Sequence, residues 1–200
     1  MPLPVNHYPR LPQIIQEIGR HEAGHYIIGR CLGFKMNQIT IQLLDPTGAH
    51  SGEASVTLPQ PIATLDTLLK YAEFRVLMLY AGSLAQALSP SGINNETALD
   101  IVKNKGGKND YDKARELVHI VRNIKYPNDA TEAEAQAHLS QIDNELWCRA
   151  TEIVGTEAEI IKGLGRRIAS EVAEIGTKYT ITANTIDNLP AIASRFAGSP

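Results

Sequence analysis

Cysteine is scarce: Cys31 and Cys148 are the only two in 200 residues. Two thiols so far apart exclude a disulfide-stapled framework and a four-cysteine zinc site, and they fit a reducing compartment. A basic surplus is also missing. The 19 Lys and Arg residues against 22 Asp and Glu leave a net charge of −3, the wrong balance for a nucleic-acid binder. Long hydrophobic runs are absent too. The longest, 74–88, is interrupted by Arg75, Gly82, Ser83 and Gln86 and falls short of the roughly 20 residues that cross a bilayer. The first ten residues contain prolines and no apolar leader segment. The expectation is a soluble, cytoplasmic chain without a membrane span. No G-x-x-x-x-G-K-[ST] phosphate loop occurs, so the chain carries no nucleotide-driven motor of that type.

What is present is ordinary in bulk, at 43% hydrophobic and 20% charged residues. A chain of 200 residues suits one domain, with a core over about 11–125 and a C-terminal helical part over about 131–196. Apolar residues at helical spacing (Ile14, Ile15, Ile18, Ile28, Leu32) predict a first helix over 11–32, stopped at Gly33. Alternation of Ile39, Ile41 and Leu43 with polar residues predicts a strand over 37–44. A turn at 45–48 and a partner strand over 52–58, closed by Pro59, complete a small two-stranded β-hairpin. Everything later reads as helix: 64–88 buried in the core, 95–103, 109–124 capped by Asn109, 131–154 with a capping box at Thr131 and Glu134, 156–175 as its antiparallel partner, and 182–193. The expected fold is therefore mainly α with one hairpin after the first helix. Cys31 is expected as a small buried hydrophobe, and Cys148, beside Trp147, as packed between the late helices.

Inside the first helix lies His21-Glu22-Ala23-Gly24-His25. Histidines four apart stand one turn above each other on one face, so both imidazoles can reach a single Zn²⁺. Glu22, rotated to the neighbouring side, can accept a proton from a water activated there. The bland alternative is two surface histidines and a solvated glutamate. Gly24 weighs against it, because an unneeded mid-helix glycine costs about 1 kcal/mol relative to alanine, so something must approach closely there. Catalytic zinc takes three protein ligands and an open position. Spacing leaves the third ligand unchosen between two carboxylates. Glu96 begins an E-x-x-x-D pattern in which Asp100 steadies a ligand histidine, and Asp110 opens a later helix, where an acid is also favoured by the helix dipole alone. His119 and His138 read as surface or packing residues.

Several of these segments together resemble the peptidase domain of FtsH-type zinc metalloproteases, the proteolytic half of membrane-bound AAA proteases. Arg20-His21-Glu22-Ala23-Gly24-His25 is similar to that family's zinc helix, and Ile39-Thr40-Ile41, Gly52 and Thr57-Leu58-Pro59 to its hairpin. Val76 to Ala87 resembles its buried helix ending in Gly-Gly-Arg-Ala-Ala-Glu, and Gly107 to Ala114 its Ala-Ser-Asn-Asp-x-x-x-Ala segment. The resemblance covers roughly 15–190 and implies zinc held by His21, His25 and Asp110, with Glu22 as general base of a peptidase acting on polypeptide. It departs where the family's arginine and glutamate fall at Leu84 and at or near Gln86, which alters a contact to the ligand shell. The family's motor and membrane parts have no counterpart here, so a separate ATPase as partner, a homo-oligomer, and a non-catalytic metal-binding or regulatory module on the same fold all stay open.

Overall fold

Pro12 in its first turn and a continuous apolar stripe set up the first long helix, and the rest of the chain packs around it. The computed structural model describes residues 3–57 and 61–198. Its elements run β1 (Leu3–Pro4), α1 (Leu11–Cys31), β2 (Lys35–Leu43), β3 (His50–Thr57), α2 (Leu65–Gln86), β4 (Leu88–Ser89), β5 (Gly92–Ile93), α3 (Asn95–Asn104) and α4 (Lys108–Lys125). Then follow α5 (Glu132–Thr156), α6 (Ala158–Glu171), β6 (Glu174–Ile175), β7 (Lys178–Thr182), α7 (Ala183–Asp187) and α8 (Pro190–Arg195). The fold is mainly α, with short strands and a hairpin after the first helix, as the sequence predicts.

Helix α1 is sandwiched between α2 on one side and α6 on another. This double burial explains why His21, Glu22 and His25 are buried although they are polar. Small residues set the α1–α2 distance. A Cβ on Gly24 would lie 2.5 Å from Ala85 Cβ and 2.6 Å from the Ala81 carbonyl oxygen. The close approach expected at Gly24 is thus the α2 backbone. Helix α2 begins with a capping box at Thr64 and Thr67, and is buried almost continuously from Val76 to Ala85.

In the β2–β3 turn, which the sequence predicts at 45–48, Asp45 Oδ1 accepts from the backbone N–H of Thr47 at 2.7 Å and from its hydroxyl at 2.6 Å, which makes it an Asx turn. Strand β2 starts at Lys35, with an irregular register between Met36 and Gln38. The predicted close of the partner strand at Leu58 and Pro59 lies outside the described residues.

Five expectations are corrected. The sheet has three strands in the order β3–β2–β7, because Lys178–Thr182 returns to pair antiparallel with β2. The helix predicted over 156–175 ends at Glu171, and Glu174–Ile175 pairs with Leu3–Pro4. The helix predicted over 182–193 is two short helices, α7 and α8, broken before Pro190, which has no N–H to continue the ladder. Helices α5 and α6 do not form a mutually packed pair: α5 lies mainly on α2 and α4, and α6 on α1. Finally, Cys148 is exposed rather than packed between helices. Cys31 is half-buried, and burial pushes its thiol up to about 11. The C-terminal segment is tied back to α1, where Tyr26 and Arg30 both donate to Asp187. Arg195 makes a bidentate contact with the buried Glu157. No helix among the described residues is long and apolar enough to cross a membrane.

Two glycines give opposite expectations in urea unfolding. Gly24→Ala forces α1 from α2 and is expected to cost about 1–3 kcal/mol, as overpacking does. A Cβ on Gly163 of α6 meets nothing within 4 Å, so Gly163→Ala is expected to gain about 0.4–1 kcal/mol through the unfolded chain.

Candidate metal centre

One turn of α1 places His21 and His25 with rings edge to face, centroids 4.7 Å apart and planes at 81°. Each ring is fixed by what its Nδ1 meets on α2. His25 Nδ1 lies 2.8 Å from the Met78 carbonyl oxygen, and His21 Nδ1 lies 3.1 Å from Gln86 Oε1. Both partners are oxygens, so both Nδ1 atoms carry the proton and donate it. The two Nε2 atoms of neutral imidazoles then present lone pairs, and they face each other at 3.0 Å. Asp110 Oδ2 completes the group, 3.3 Å from His21 Nε2 and 3.0 Å from His25 Nε2.

Three acceptors at these distances repel one another. A proton on one imidazole relieves a single pair, whereas a divalent cation between them relieves all three. The separations suit zinc, since ligands about 2.0–2.1 Å from a tetrahedral centre stand about 3.3 Å apart. His21, His25 and Asp110 can therefore hold a metal ion. The nitrogen and carboxylate donors, with a carbonyl and an amide behind the imidazoles, match what zinc takes.

The floor of the site is Gly82 of α2. A Cβ there would lie 2.4 Å from His25 Nε2 and 2.7 Å from His21 Nε2. Only a residue without a side chain lets both rings rest on that helix.

Asp110 sits in the first turn of α4. The sequence placed the N-cap at Asn109, but the helix starts at Lys108 behind Gly107, so Asp110 is the third helical residue. Burial alone would raise its carboxyl. When the imidazoles carry a proton on Nε2 as well, the fields and hydrogen bonds of His25 and His21 overcome this and hold it well below the usual carboxylate range.

Glu22 is buried beside this group, 5% exposed, and its Oε2 has no hydrogen-bond partner. Burial pushes its carboxyl up to about 7; the His21 field and a hydrogen bond to the Ala54 backbone act against that rise. A strand without bulk covers it: a Cβ on Gly52 of β3 would come within 2.3 Å of Glu22 Oε1. The group opens into a cleft of about 920 Å³. One wall is β3 from His50 to Val56, and the other includes Arg75 and Met78 of α2 with Asn109 and Lys113 of α4. Strand β3 is an edge of its sheet, and no strand pairs with its outer side among the described residues.

The residues read from the sequence divide cleanly. His21, Glu22, His25 and Asp110 come together. Glu96 does not: it is exposed in the first turn of α3, and Asp100 pairs with Lys105 instead of steadying a histidine. His119 is exposed, and His138 stacks on Tyr126 and bonds Asp129. Of the two positions that depart from the FtsH pattern, Leu84 is core and Gln86 is the residue that orients His21. The Met78 carbonyl leaves no trace in sequence, being backbone. Gly82 does leave one, as a glycine inside an apolar helix. Compared with known proteins, the chain matches no protein-family model and no curated protein sequence.

Two metal measurements follow. Asp110→Ala is expected to reduce zinc in the purified protein from one equivalent to near none by elemental analysis, while Glu96→Ala leaves it unchanged. Gln86→Leu removes the acceptor behind His21, and zinc affinity in a chelator competition is expected to fall by about 10–100-fold.

Proposed function

We propose that this chain is a zinc-dependent endopeptidase, hydrolysing peptide bonds with an activated water and Glu22 as general base. The observation that carries the reading is the convergence of two imidazoles and a carboxylate on one point, with a buried glutamate whose Oε2 has no partner next to it and an edge strand along the same cleft.

His21, His25 and Asp110 hold the ion, and the two α2 oxygens behind the imidazoles keep Nε2 aimed at it. Zinc, when bound, supplies a Lewis acid that lowers the pKa of water toward about 7 and polarises a carbonyl. Glu22 takes the proton from the attacking water and passes it to the leaving amine. Its Oε2 makes no competing hydrogen bond, so it is free for that task. The substrate lies extended along β3, whose outer N–H and C=O groups bind main chain rather than side chains. An extended partner suits polypeptide and disfavours a compact non-peptide amide. A peptide already unfolded, or delivered by a separate ATPase, meets this requirement.

Glu22→Gln tests the reading. The variant is expected to keep its zinc and to lose at least about 100-fold in the rate of casein or peptide cleavage, the lower range for a lost general base. Zinc-replete wild type that cleaves nothing would instead make the centre structural, as in a non-catalytic module.

A further inference from the structure

Arg75 is the one charged side chain in the apolar run 74–88, and it opens into the metal cleft. Of the other half-buried arginines, Arg30 holds Asp187, Arg122 holds Asp129, and Arg20 donates to the Leu88 carbonyl. Arg75 makes no ion pair among the described residues. Its recorded contact is from Nη1 to the Met78 sulfur, at 3.1 Å. A thioether is a weak acceptor, and a guanidinium carries five N–H donors. Half-burial without an anion is costly for such a group. On the same wall, Lys113 of α4 is also without an ion pair among the described residues.

We propose that Arg75 is a specificity-determining residue that receives a carboxylate of the substrate, about three residues from the scissile bond. This rests on the peptidase reading. The spacing comes from the helix: seven residues separate Arg75 from Gly82, the floor of the metal group, or about 10 Å at 1.5 Å per residue. An extended peptide advances about 3.3 Å per residue, so about three residues cover that length. The planar guanidinium binds a carboxylate through two parallel hydrogen bonds, a geometry that lysine cannot reproduce. The carboxylate has two sources with the same chemistry. A chain terminus there would make the enzyme trim short pieces from C-terminal ends; an Asp or Glu side chain would make it cut inside chains near acidic residues.

The test uses zinc-loaded Glu22→Gln protein, which binds without cleaving, and heptapeptide pools randomised without Asp or Glu and carrying a neutral coumarin label. One pool ends in a free carboxylate and one in a carboxamide. Seven further carboxamide pools have Glu fixed at each position in turn. Fluorescence polarisation is expected to give at least tenfold tighter binding for the free-acid pool, identifying the terminus, or for one or two Glu-fixed pools, identifying a side chain. Adding Arg75→Gln is expected to erase that preference at unchanged zinc content, and Arg75→Lys to retain part of it. Equal affinity for all pools, or a preference that survives Arg75→Gln, overturns the assignment while leaving the peptidase reading intact. A protein that holds no zinc overturns both.

Discussion

The candidate centre depends on how closely the backbones of α1 and α2 approach. Gly24 against Ala81 and Ala85 removes the side-chain layer that normally separates two helices. The imidazoles of α1 then lie directly on α2, with Gly82 beneath them. At this range His25 reaches a mid-helix carbonyl, whose second lone pair is free although the first serves the helix ladder. That contact and the one from Gln86 set both tautomers. Without a proton or a cation between them, the two buried imidazole nitrogens and the half-buried carboxylate would each lack a partner, at a cost of about 1–3 kcal/mol each. A cation shared among the three would remove that cost at all three contacts at once.

Much of this was legible in the sequence, and the parts that were not share a physical cause. His21, Glu22 and His25 form a local pattern, and a mid-helix glycine is a local anomaly, so both could be read from a window of a few residues. The choice between Asp110 and Glu96 is a long-range fact. Both are acids in the first turn of a helix, and only packing decides which first turn faces α1. Strand β7 was missed because five residues of Lys-Tyr-Thr-Ile-Thr are too short to outweigh helical neighbours. Its pairing with β2 supplies the stabilisation that its own periodicity lacks. Gln86 could be suspected only through a family pattern, and there a glutamine keeps the acceptor oxygen that a glutamate would offer while giving up its charge. The Met78 carbonyl was beyond any reading of side chains.

Recognition in the cleft divides by chemistry. Strand β3 presents backbone donors and acceptors, which every peptide can match, so it provides grip without choosing a sequence. The wall opposite carries side chains, Arg75 and Lys113 among them, which can discriminate where backbone cannot. Glycine at position 52 fits the same division, since a side chain there would collide with Glu22.

Asp110 gives the centre its reach across the fold. It is 85 residues from His25 in sequence, and two of the three ligands lie on α1 while the third lies on α4. The α3–α4 turn that carries it is itself wedged onto α2: a Cβ on Gly107 would lie 2.3 Å from Ser83 Oγ. The first turn of α4 favours the anionic carboxylate through the helix dipole, and the imidazoles favour it further. Asp110 therefore stays charged, facing either donated imidazole protons or a cation. Helix α4 is held by its own packing on α2, α3 and α5, so the carboxylate is carried to the imidazoles by tertiary structure and not by α1. An ion bound by all three groups would couple its affinity to the docking of α4.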